Sequence, residues 1–152
     1  MIRSALIGLA AGARSMTPLA AVSDAAKTGA LPRDNGAPDW LGNPLVAAGT
    51  KLLAAGELAG DKMKTAPDRT VFLGLLARTI TGGFAGAALA PPKRQLTGAA
   101  LGIGAAILSS YGGLAARKWA MERWGQTSTG FVEDAILMSA ATAIVHARPA
   151  HA

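Results

Sequence analysis

Residues 96–116 read LTGAALGIGAAILSSYGGLAA, a run without one charged side chain. A helix rises about 1.5 Å per residue, so about 20 apolar residues cross the roughly 30 Å hydrocarbon core of a bilayer, and this run is long enough. On its N-terminal side, residues 71–90, VFLGLLARTITGGFAGAALA, are interrupted only by Arg78, and residues 4–22, SALIGLAAGARSMTPLAAV, only by Arg14. Two shorter stretches complete the set: 44–60, PLVAAGTKLLAAGELAG, with Lys51 and Glu57, and 131–147, FVEDAILMSAATAIVHA, with Glu133 and Asp134. The expectation is an all-α integral membrane bundle of four to five transmembrane helices with a weak internal repeat, forming one domain over residues 1–152. A water-soluble helical bundle is the competing architecture, and a mean hydropathy of only +0.32 is its best support.

Composition agrees with the membrane reading. Hydrophobic residues make up 51% of the chain and charged residues 16%, well below the roughly 25% usual in soluble domains. With no cysteine, disulfide and thiolate chemistry are excluded. The net charge of +6 does not point to nucleic acid, because the basic residues are dispersed, the longest runs being Lys93-Arg94 and Arg117-Lys118. Trp40 precedes the second segment, and Trp119 and Trp124 follow the fourth, where rings at headgroup level are expected. Arg14 inside the first apolar run argues against a cleaved leader peptide. With five crossings, alternate loops hold a slight excess of Lys and Arg on the N-terminal side, which predicts an inside N-terminus in a bacterial inner membrane.

The motif carrying most information is repeated. Ala13-Arg14-Ser15-Met16-Thr17-Pro18 recurs as Ala77-Arg78-Thr79-Ile80-Thr81-Gly82, matching Ala, Arg, hydroxyl, apolar, Thr and helix-breaker in order. Each copy sets an arginine near the middle of an apolar span, where it must face the bundle interior, reach an interface or find a partner. The acids available are Glu57, Asp61, Glu133 and Asp134, with Glu57 and Asp61 spaced i, i+4 on one helical face. Arg14, Thr17, Glu57, Asp61, Arg78, Thr81, Glu133 and Asp134 are therefore the candidate binding or ion-pair residues. The chain order favours Arg14 with Glu57, and Arg78 with Glu133 or Asp134. Pro18 and Gly82-Gly83 are candidate kinks. Lys51 reads as a cavity-lining or snorkelling residue.

GxxxG spacings at Gly8 and Gly12, Gly56 and Gly60, Gly82 and Gly86, and Gly98 and Gly102 fall within the predicted spans and mark faces where helices approach closely. Enzyme signatures are absent: no GxSxG, phosphate loop or HExxH occurs, and His146 and His151 do not share a helical face. The expectation is a non-enzyme without metal or cofactor. Ser109 and Ser110 fit hydrogen bonds between helices better than nucleophilic roles.

Gly12 to Ala20, Glu57-Leu58-Ala59-Gly60-Asp61-Lys62, Ala77-Arg78-Thr79 and Glu133-Asp134 together resemble the bacterial membrane family catalogued as domain of unknown function 4126. The resemblance covers nearly the whole chain. It implies a membrane location and singles out the same arginines and acids, but supplies no activity. Two functions remain on chemistry alone: a small transporter or channel for an anion or polar solute using the intramembrane charges, or a non-catalytic accessory subunit. Expected partners are the lipid bilayer and either further copies of the chain or a larger membrane complex, with no nucleic acid.

Overall fold

The break that divides the first apolar run organises the whole bundle. The computed structural model describes residues 1–60 and 72–147, and among these there are six α-helices and no strand. They are α1 (Ile2–Ala13), α2 (Met16–Thr28), α3 (Pro44–Gly60), α4 (Phe72–Ala88), α5 (Gln95–Trp124) and α6 (Gln126–His146), with a short 3₁₀ turn at Asp39–Gly42. Local chemistry sets several boundaries. Gly29, at φ +69°, ends α2 in the left-handed conformation that glycine adopts without steric cost. Asn43 accepts the Leu45 N–H at 2.8 Å and Pro44 opens α3. Pro91-Pro92 separate α4 from α5, and Gly125, at φ +80°, is the single residue between α5 and α6.

Residues 4–22 do not form one span. They form two helices that meet at Arg14-Ser15, and α2 folds back towards the start of α1. End to end, α1 and α2 would separate Met1 from Thr28 by about 39 Å. Met1, Ile2 and Arg3 instead share a cavity wall with Pro32 and Asp34. The Arg3 guanidinium donates to the Ala147 carbonyl, so the last described residue is at this end too. The same end holds the end of α4 and the start of α5, tied through Gly36, which donates to Ala88 O at 3.0 Å and accepts from Gln95 Nε2 at 3.2 Å. Met1 and Ala147 thus lie at one end of the bundle, where five alternating helices would have set them at opposite ends. Arg3 joins Lys27, Arg33, Lys93 and Arg94 there.

Glycine holds α1, α4 and α5 together. A Cβ placed on Gly8 would lie 2.8 Å from Gly102 Cα, one on Gly98 2.5 Å from Gly86 O, and one on Gly82 3.1 Å from Gly102 O. Gly12 meets Ser109 and Ser110, and Gly86 meets Gly98 and Gly102. Three of the four GxxxG pairs thus form one seam of backbone against backbone. The fourth does not: a Cβ on Gly56 or Gly60 meets nothing within 4 Å among the described residues.

Large apolar side chains face outward, and polar groups are buried beside an apolar core that includes Ile7, Val22, Leu41 and Val145. Leu45, Leu52, Phe72, Leu73, Leu96 and Leu108 are exposed, whereas Ser4, Arg14, Ser23, Arg78, Thr81, Ser110 and Asp134 are buried. Two helical stretches, Gln95–Trp124 and Ser128–His146, are long and apolar enough to cross a membrane. Two aromatic pairs mark two levels, while Phe72, Tyr111 and Phe131 lie outside these two pairs. Trp40 meets Phe84 edge-on at 6.2 Å, and Trp119 meets Trp124 at 5.6 Å. In the α4 and α5 register, Gly86 faces Gly98 and Gly82 faces Gly102, which sets Phe84 level with Ala100. Trp119 is then about 29 Å further along α5.

Candidate functional site

The site is built around the Arg14-Ser15 break. Arg14 takes an extended backbone, φ −141° and ψ 114°, and Ser15 returns to helical angles. Pro18 accounts for the position of the break: its ring opposes the carbonyl four residues earlier, that of Arg14, and it has no N–H to bond there. Pro18 itself sits in the first turn of α2, where the missing donor has no cost.

A break exposes helix-end carbonyls and N–H groups, which must be satisfied away from water. Other helices supply the partners. Glu57 of α3 accepts from the Ser15 and Met16 N–H groups, both at 2.8 Å, and from Ser15 Oγ at 3.0 Å. Its carboxylate also lies at the N-terminus of α2, where the helix dipole favours negative charge. On the α1 side, Ser110 Oγ donates to the freed Gly12 O at 3.2 Å; Ser109 Oγ adds an interhelical bond at 2.7 Å to Leu9 O, a carbonyl within the helix.

Arg14 is 1% exposed, and two of its guanidinium nitrogens donate to one Asp134 oxygen, Nε at 3.1 Å and the other closer. This corrects the expected pairing, since Glu57 serves the α2 N-terminus and Asp134, 7% exposed, receives Arg14. Glu133 meets Arg117 at 3.4 Å. Arg78 is buried in an unbroken α4 at 6% exposure. Gly82, one turn away, packs on Ala11, so Arg78 lies level with the break. Asp61 lies outside the described residues.

Several routes give the depth of this cluster. Counting about 1.5 Å per residue from the end that holds Met1, Arg14 lies about 18 Å along α1, Glu57 about 20 Å along α3 and Asp134 about 18 Å back along α6. Gly12 packs against Ala106, Ser109 and Ser110, so the break lies about 14 Å from each aromatic level.

The break also changes its threonine. Thr81 donates to Ala77 O at 2.9 Å and Arg78 O at 3.3 Å, the usual backward bonds inside a helix. Thr17 begins a new helix and loses that geometry. Its hydroxyl is buried, at 8% residue exposure, with no hydrogen-bond partner among the described residues. It lines a cavity of about 320 Å³ between α2, α3 and α6. Lys51 lines the same cavity, as its sequence position predicts, and pairs with Asp24 at 2.5 Å. Sequence reasoning passed over Asp24; the signal was the spacing Thr17, Ala20, Ala21, Asp24, a single face of α2.

The profile of the family described as Domain of unknown function (DUF4126) matches residues 3–147. The chain belongs to that family. The match spans the break, both arginines and the acids that the break engages, so the site lies wholly within the DUF4126 region. No curated protein and no solved structure matches the chain. Among the described residues no group of three His, Cys, Asp or Glu is placed to hold a metal ion.

Proposed function

We propose that this DUF4126 chain is an integral membrane protein in which α3 to α6 cross the bilayer and α1 and α2 form a re-entrant pair, and that it passes a small polar solute. The carrying observation is a helix broken about 14 Å from the levels of both aromatic pairs, with freed backbone groups supplied by Glu57 and Ser110. Interrupted helices at membrane depth are a feature of proteins that line a polar route through lipid. The aromatic separation of about 29 Å is close to the hydrocarbon thickness, and the outward apolar surface favours the same setting. Arg14, engaged with Asp134 and sealed from the cavity, acts here as the lock that holds the break, and the solute route follows the cavity beside Thr17.

Uptake of a panel of radiolabelled polar solutes into vesicles containing the purified chain tests the proposal. Saturable uptake of at least one solute above protein-free vesicles is expected. Arg14→Lys should reduce it while the protein still accumulates, because an ammonium cannot reproduce the two-nitrogen contact with Asp134. Uniform absence of uptake by folded protein would contradict the proposal and favour an accessory subunit. The open Gly56 and Gly60 face on α3 supports that second reading, since it packs against no helix among the described residues.

A further inference from the structure

The cavity between α2, α3 and α6 has three walls of the same design. On α2 the face is Thr17, Ala20, Ala21 and Asp24; on α3 it is Lys51, Ala54, Ala55 and Leu58. Both follow the i, i+3, i+4, i+7 spacing of a single helical face, and α6 closes the third side with Met138, Ala141 and Thr142. Alanine in the middle of each wall leaves a void where larger side chains would meet. The volume of about 320 Å³ is roughly ten times the 30 Å³ share of a liquid water and enters the range of small-molecule sites.

The polar groups occupy the two ends of this void. At the deep end is the Thr17 hydroxyl, buried and with no hydrogen-bond partner among the described residues. Two turns outward, about 10 Å along α2, Asp24 and Lys51 face each other at 2.5 Å with their side chains exposed. Ser23, beside Asp24, bonds to Leu41 O, next to Trp40, so the pair lies at the outer aromatic level.

We infer that this cavity binds a compact zwitterion, a primary ammonium joined to an oxyanion through a short aliphatic stem. The inference rests on the transport reading and names its substrate class. A solute with one charge would engage Lys51 or Asp24 and leave the other without its ion-pair partner. A zwitterion exchanges one ion pair for two: its oxyanion takes Lys51, its ammonium takes Asp24, and the net charge of the site is unchanged. The flexible lysine stem allows the pair to open, and the alanine walls beside it leave room for the aliphatic stem. A free amino acid and an aminophospholipid headgroup share this chemistry.

Thermal stability of the full chain in phosphatidylglycerol nanodiscs separates these sources. The free probes are glycine, β-alanine and γ-aminobutyrate; acetate and ethylamine are single-charge controls; phosphatidylethanolamine added to the disc is the headgroup probe. Saturable stabilisation by a free zwitterion, without a comparable effect of acetate or ethylamine, supports a soluble solute, and an effect of phosphatidylethanolamine alone supports the lipid. Asp24→Asn and Lys51→Met should each weaken the effective probe about tenfold or more. The double exchange Asp24→Lys with Lys51→Asp keeps both charges and should restore binding, which separates a lost site from a lost fold. No response to any zwitterion, an equal response to acetate, or undiminished binding by folded Asp24→Asn would overturn the inference. Zwitterion binding without uptake removes the transport reading and leaves the site; uptake of a singly charged solute without zwitterion binding does the reverse.

Discussion

The two copies of the arginine motif align over six residues and take different backbones. In the first, Arg14 ends a helix, Ser15 starts another, and Glu57 and Ser110 from other helices repair the break. In the second, Arg78 and Thr81 continue through α4 without interruption. Both arginines are buried at the same level, so burial of the charge is not what breaks the helix. The difference lies at the sixth position. Pro18 opposes the Arg14 carbonyl, whereas Gly82 retains an N–H for the equivalent bond and lets α4 approach α5. One motif became a break and the other a packing face.

The largest effect should come from the charge that secures the break. Arg14→Met or Asp134→Met strands a buried partner and is expected to cost about 3 to 5 kcal/mol, with much of it recovered in the double variant. Thermal unfolding in detergent measures the cycle, and strictly additive losses would deny direct coupling. Glu57→Ala removes the acceptor for two N–H groups of the break and should cost about 1 to 3 kcal/mol in the same assay.

The helical segments were legible in the sequence because apolar runs bounded by turn residues mark helices, as residues 44–60 and 71–90 do for α3 and α4. The fourth segment was cut short at residue 116 because Arg117 and Lys118 look like a loop, yet α5 continues to Trp124 with Arg123 stacked over Trp119 at 4.8 Å. Arg14, Glu57 and Asp134 were identifiable because charge in an apolar run is costly, but their partners were not. Pairing depends on the fold-back at Ser15, which reverses α2, and a hydropathy pattern carries no sign of direction. The cavity was hidden for another reason: alanine reads as helix former, and only the juxtaposition of three alanine faces makes a void.

Smaller substitutions sharpen the contrast. Gly102→Ala should cost about 1 to 3 kcal/mol, since its Cβ would enter the Gly82 and Gly86 backbone, while Gly56→Ala should change stability by less than about 1 kcal/mol. Thr81→Val loses two backward hydrogen bonds and is expected to cost about 0.5 to 1.5 kcal/mol. Thr17→Val, at the matching position of the first copy, should be neutral or slightly stabilising, because that hydroxyl has no partner among the described residues. Equal losses at Thr17 and Thr81 would mean that the two copies share one backbone after all.

The central claim is the fold-back at Arg14-Ser15, and the absence of native cysteine makes it directly accessible. Single cysteines at Arg3 and Arg33 are labelled with a membrane-impermeant maleimide in intact cells and in inverted vesicles. The account predicts that both positions react from the same side of the membrane, because α2 returns to the end where α1 began. Labelling of the two positions from opposite sides would restore one continuous crossing over residues 4–22 and contradict the account.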